Sequence, residues 1–205
     1  MITKCAARGL ALSVWLLAGS SLAFAQAHNM AGMPGMSETA KIVIPPGSGI
    51  TAADVQFMQG MIAHHAQAVY MSRLAAGHGA NPKVLALAKM IDQSQIPEII
   101  IMQNWLRRYN QVVTDTSSWH NMSMPGMLTD DQIKALNAAQ GVDFDRKFLE
   151  YMIQHHSGAI KMVNDLFATP GAGQEVDTNV FANDVVTVQT GEIGIMLKLR
   201  KDELP

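Results

Sequence analysis

From residue 51 to residue 200 the apolar positions recur at the spacing of an α-helix, and no stretch alternates convincingly from one residue to the next, so the chain reads as all-α. Thr51, with Asp54 three residues on, caps a first helix expected to run to about Ala76 and to stop at Gly77. Asn81 followed by Pro82 opens a second helix, which continues through Trp105 to about Arg108. Residues 110–128 carry no period and read as a loose, Met-rich segment, after which Thr129-Asp130-Asp131 starts a short helix ending near Gly141. Two more long helices are predicted, over about Asp143 to Phe167 and Thr178 to Leu199, joined by the turn Pro170-Gly171-Ala172-Gly173.

The same pattern occurs twice. Phe57 to Met71 and Phe148 to Met162 both contain Met-Ile-x-His-His-x-x-Ala-x-x-Met, and four of the seven histidines fall in these two copies. The second and fourth helices share Gln-x-x-Glu-Ile-x-x-Met, at Gln95 and Gln189. The chain is therefore two helical hairpins, repeat one over 51–109 and repeat two over 142–201, with the Met-rich linker 110–141 between them. Neither hairpin can bury its apolar face alone, so the two pair as a four-helix bundle with approximate twofold symmetry. A kink is expected beside Glu98, because Pro97 removes a backbone donor inside the helix.

Residues 1–25 change the compartment. Lys4 and Arg8, an apolar run from Gly9 to Ala18 and Ala23-Phe24-Ala25 read as a signal peptide cleaved near Ala25, which sends the protein to the periplasm or outside the cell. Its loss takes away Cys5, and leaves 13 basic against 17 acidic side chains, a balance of −4 that argues against nucleic acid or an anionic membrane as partner. Residues 26–50, with His28, Met30, Met33 and Met36 among Gly, Pro and small residues, read as a disordered Met/His-rich arm, leaving 51–205 as the bundle domain.

Candidate chemistry follows from the repeats. On a helix Met61, His64, Ala68 and Met71 share one stripe, and so do Met152, His155, Ala159 and Met162, with His65 and His156 about 100° further round. A Met stripe commonly fills a core, but no packing requirement calls for His twice in succession, and neutral imidazole is the commonest metal ligand among side chains. Gln95, Glu98 and Met102, with Gln189, Glu192 and Met196, face the same interior, where the two carboxylates can accept from histidine ring N–H groups and orient them. Imidazole with thioether suits copper(I) or silver(I), and copper(II) as a further candidate, better than iron. The openings His28-Asn29-Met30 and His120-Asn121-Met122, each followed by spaced thioethers (Met33 and Met36; Met124 and Met127), are candidate accessory ligands in flexible context; His78 reads as an exposed surface residue.

Two other classes compete. A di-iron or di-manganese oxidase needs Glu-x-x-His on each of two helices, and three residues after Glu98 and Glu192 stand Ile101 and Ile195. A metal-free bundle would use the Gln-Glu-His set as a hydrogen-bond network that fixes how the hairpins pair.

The doubled Met-Ile-x-His-His-x-x-Ala-x-x-Met and Gln-x-x-Glu-Ile-x-x-Met, joined by Met-Pro-Gly-Met and Phe144-Asp145-Arg146-Lys147-Phe148, resemble the domain of unknown function 305 family over about Thr51 to Leu199. The resemblance implies a ferritin-like four-helix fold. It also extends to that family's CopM-type periplasmic copper-binding proteins, which implies a non-enzymatic role: copper sequestration, buffering or transfer, with a copper exporter or another periplasmic copper protein as partner. The matching ligand positions are His64, His65, His155 and His156 with Met61, Met71, Met152 and Met162.

Overall fold

In a computed structural model the described residues are 42–203; residues 1–25, read as a signal peptide, and His28, Met30, Met33 and Met36 lie outside them. The described chain is all-helical, with long helices α1 (Ala52–Leu74), α2 (Pro82–Arg108), α4 (Gly141–Ala168) and α5 (Val176–Asp202), and the short α3 (Asp130–Ala138) before the second hairpin. Each start follows from a cap. Thr51 and Asp54 form a complete capping box, Asn81 accepts from Lys83 N–H ahead of Pro82, and Thr129 and Gln132 form a second box. Glu175 caps α5 and also accepts from the Trp105 indole of α2. Burial works against its ionisation, but the bonds from Trp105, Thr178 and Asp177 prevail and hold its carboxyl down at about 2.

The helices pack as α1 on α2, α4 on α5 and α1 on α4. Pairs from α2 to α5 close the other side, Arg108 to Asp177 at one end and Lys83 to Glu203 at the other. Of the 23 residues of α1, 17 are buried, far more than one stripe. Its outward face is covered by the linker, which contains a 3₁₀ turn (Thr116–Asn121): Trp119 packs on Tyr70 with ring centroids 5.1 Å apart, and Gln59 donates to the Val112 carbonyl at 2.8 Å. The linker expected to be loose is thus a packed part of the fold. α2 runs unbroken through Pro97, whose ring and the carbonyl it frees at Gln93 both lie on the exposed side, where water can satisfy the oxygen.

Each hairpin clasps the turn of the other. Buried Asp54 of α1 accepts from Gly173 N–H in the α4–α5 turn at 2.7 Å while bonding its own cap at Thr51. Its repeat equivalent, Asp145 of α4, accepts from Asn81 N–H in the α1–α2 turn at 3.1 Å. Burial pushes the Asp145 carboxyl above its ordinary value, and the Asn81 bond only partly offsets this. His78 is half-buried rather than exposed: its ring nitrogens face the Leu74 and Asn137 carbonyls at 2.7 and 3.1 Å, and it stacks on Phe144.

Hydrogen bonds to charged groups contribute about 1.5–3 kcal/mol, so Asp54→Ala should lower the unfolding free energy by about 2–3 kcal/mol. Asp145→Ala should lower it by less, because Asp145 takes fewer such bonds and is costlier to bury. Urea unfolding of the two variants measures the order directly; a larger loss for Asp145→Ala would contradict the clasp as described.

Candidate metal centre

The paired histidines meet where α1 crosses α4. His64, His65, His155 and His156 are all fully buried, and the His64 and His155 rings lie with centroids 3.8 Å apart, tilted by 41°. Helical spacing explains the division of labour within each pair: one imidazole faces the opposite hairpin, and its neighbour, a quarter-turn round, faces its own. His65 Nε2 lies 2.7 Å from Glu98 Oε2 on α2, and His156 Nε2 lies 2.7 Å from Glu192 Oε2 on α5. A carboxylate accepts, so Nε2 carries a hydrogen in both rings, and Nδ1 is the nitrogen that faces away from the carboxylate. His64 Nε2 faces the Pro125 carbonyl at 3.0 Å, which likewise leaves Nδ1 free.

Five ring nitrogens in this seam have no hydrogen-bond partner: Nδ1 of His64, His65 and His156, and both nitrogens of His155. Burial, followed by the neighbouring His65, drives the His64 pKa down from 6.5 to about 3, and burial with the adjacent imidazoles drives His155 well below 6.5. His64 and His155 are therefore neutral bases at physiological pH. Gln95 and Gln189 are buried to 2 % exposure, with both amide atoms of each unpartnered. Unsatisfied buried polar atoms cost about 1–3 kcal/mol each, so a cluster of this size points to a function that uses it.

The thioethers flank the seam. Met61, Met102 and Met162 lie in one buried cluster, and Met71, Met152 and Met196 in another. Among the described residues no three His, Cys, Asp or Glu side chains group as a metal site. The linker reaches this region too. Met124 and Met127 are buried in the first cluster, Met122 is half-buried, and His120 is exposed and stacked on Trp119. Met124-Pro125-Gly126-Met127 is a tight turn, with Met127 N–H donating to the Met124 carbonyl and Gly126 at φ 80°, the pattern of a type II turn. The Pro-Gly pair signals that turn in the sequence. Its seat does not show there: a Cβ on Gly158 of α4 would lie 2.0 Å from the Pro125 oxygen, so only glycine admits the turn.

Fold and site together define an all-helical protein of two repeated hairpins closed over a buried seam of imidazole and thioether. The chain belongs to the family described as Domain of unknown function (DUF305), whose model matches residues 54–200. It is similar in structure to a DUF305 fragment from Deinococcus radiodurans (28 % identity, TM-score 0.64, covering 73 % of this chain and 96 % of that one). A DUF305 protein from Streptomyces coelicolor, described as secreted, aligns at 30 % identity and TM-score 0.63, covering 73 % and 93 % of the two chains. CopM in its Cu(I)-bound form aligns at 26 % identity and TM-score 0.59, covering 73 % and 96 %. No curated protein matches the sequence.

The buried imidazoles set a pH window. Their folded-state pKa lies below the unfolded value of 6.5, so on acidification the unfolded chain binds protons first. The stability they permit is complete above pH 6.5 and falls as the pH drops toward 3. Glu175 acts in the same direction only below its ordinary 4.5 and the raised Asp145 carboxyl acts in the opposite one, so a decline between 6.5 and 4.5 reports His64 and His155. Urea unfolding of the chelator-treated protein should show stability declining through that interval, and His64→Leu with His155→Leu should flatten the decline. A wild-type protein with constant stability across it would refute the assignment.

Proposed function

We propose that the protein binds copper(I), with silver(I) and copper(II) as related guests, to sequester, buffer or hand over the metal outside the cytoplasm. The observation that carries this is the set of five unpartnered imidazole nitrogens buried beside thioethers at the α1–α4 crossing. Neutral imidazole and thioether are soft, uncharged donors, and that set favours monovalent copper over harder ions. Glu98 and Glu192 each accept a ring N–H, an arrangement that orients a ligating histidine and raises its basicity. His64, His65, His155 and His156 would supply nitrogen, and Met61, Met71, Met152 and Met162 sulfur. Gln95, Gln189, Met102 and Met196 would line the same interior.

The relatives support this reading. CopM has been solved with Cu(I) and with silver bound, and the Streptomyces coelicolor relative is described as secreted. Among the described residues no helix is long and apolar enough to cross a membrane. Residues 1–25 would direct export, and the arm 26–50 with its Met and His would capture or exchange metal ahead of the bundle 51–205. The receiving partner would be a copper exporter or another periplasmic copper protein. A metal-free network would use the two His-Glu bonds equally well, but it gives no role to the ring nitrogens left bare behind them.

An anaerobic copper(I) titration of the exported protein against a competing chromophoric chelator tests the proposal. Binding should compete with the chelator and weaken in His64→Ala with His155→Ala by more than the roughly tenfold to hundredfold that loss of a group orienting a ligand costs. Failure of the wild-type protein to compete would dismiss the copper reading; binding that survives the double change would move the site to the Met-rich arm.

A further inference from the structure

The three helix contacts through the histidines fix the register of the whole interior. His65 to Glu98 sets α1 against α2, His156 to Glu192 sets α4 against α5, and His64 against His155 sets α1 against α4. Antiparallel packing from these points brings Met61, Met102 and Ala159 to one level on one side of the histidines, with Gln189 of α5 level with Ala159. On the other side it brings Met152, Met196 and Ala68 to one level, with Gln95 of α2 level with Ala68. The core clusters agree: Met61, Met102 and Ala159 belong to one, and Met152, Met196 and Ala68 to the other.

Each level has the same composition: two thioethers, an alanine that leaves room, and a buried amide without a partner. Gln95 and Gln189 are both 2 % exposed, and neither the amide nitrogen nor the oxygen of either is hydrogen-bonded. A dry core gains nothing from an unpaired amide, and here one stands at each level. The repeat has therefore duplicated a polar opening in the interior, one on each side of the imidazole seam.

The linker breaks the equivalence. At the first level Met124 enters from outside the repeats: a Cβ built on Gly60 would lie 2.9 Å from Met124 Sδ and 3.5 Å from Met162 Cε, so both side chains occupy the space over that glycine, one turn before His64. His64 bonds Pro125 in the same turn. The first cluster holds six buried methionines, Met58 and Met127 among them, and the second holds three.

Building on the copper reading, we infer that the bundle holds two monovalent soft-metal ions, one on each side of the histidine seam, in unequal sites. The site at Met61 and Met102 is the tighter, because Met124 and Met162 add donors and the linker turn closes it. The site at Met152 and Met196 has fewer sulfurs, since the linker brings only the apolar Leu128, Leu136 and Ala139 to that cluster, and is the one that exchanges.

Silver(I), which does not change oxidation state here, is the probe. Titration of the exported protein followed by native mass spectrometry should show Met152→Leu with Met196→Leu losing one ion and Met61→Leu with Met102→Leu losing a different one. Leu for Met nearly conserves volume and typically costs under about 1.5 kcal/mol, so the variants remain folded. Met124→Leu should weaken the first site by about tenfold, as removal of a group around a metal does, and leave the second unchanged. If both Met pairs abolish the same single ion, or if the Met152 and Met196 changes leave stoichiometry unaltered, the two-site inference fails while metal binding stands. A wild-type protein that retains no silver overturns both. X-ray absorption of the doubly loaded wild type gives an independent reading: both ions should show sulfur beside imidazole nitrogen, and a shell of nitrogen and oxygen alone would count against the assignment.

Discussion

Everything in this bundle is arranged around the burial of four imidazoles at one helix crossing. Burial holds His64 and His155 neutral, and a neutral ring in a dry interior keeps a lone pair available. The surrounding contacts decide which nitrogen that is. Carboxylates on α2 and α5 take the Nε2 hydrogens of His65 and His156, and the linker carbonyl at Pro125 takes that of His64. Helices α2 and α5 thus orient the imidazoles carried by α1 and α4, and the pairing of α1 with α4 brings the two pairs of rings together.

Repetition builds the seam, and departure from repetition gives it a direction. Asp54 and Asp145 are equivalent residues that each hold the other hairpin's turn, so the halves assemble reciprocally. Gln67 and Gly158 are equivalent positions that differ. Gln67 on α1 makes a pair of hydrogen bonds to the Leu128 backbone, while Gly158 on α4 has no side chain and lets Pro125 and Gly126 pass over it. The linker is pinned by one and admitted by the other. It therefore packs on both sides of an otherwise twofold interior but unequally, bringing Met124 and Met127 to one cluster and Leu128, Leu136 and Ala139 to the other.

Most of this was legible in the sequence wherever the signal was local and periodic. Caps, helix limits and the His-Glu partnership followed from spacing, and the doubled motif located the seam. The linker did not follow, because Met, Pro, Gly and Ser without a period describe a loose segment equally well, and its seat is made by glycines far away in the chain, at 60 and 158. Proline and glycine at 125 and 126 did announce a turn, but nothing local said what the turn would cover. His78 was misjudged for the same reason: its glycine neighbours suggest exposure, and the carbonyl at Asn137 and the ring of Phe144 that hold it come from the second half of the chain. Asp145 was visible only as part of a motif, since its role depends on the turn at Asn81.

The charge balance of the interior bears on which ion the proposed site would accept. Imidazole and thioether bring no charge, so a bound cation must be compensated from nearby, and the cost of moving an ion out of water rises steeply with its charge. The carboxylates that touch the seam are Glu98 and Glu192, each one ring away from the donors and each tied to a different hairpin. One negative group per half matches one monovalent ion per half. A divalent ion placed in either half would draw its second compensating charge from across the histidine layer, at longer range and with weaker attraction. Charge separation and donor softness would therefore select in the same direction at the proposed site, with Glu98 and Glu192 placing one carboxylate in each half.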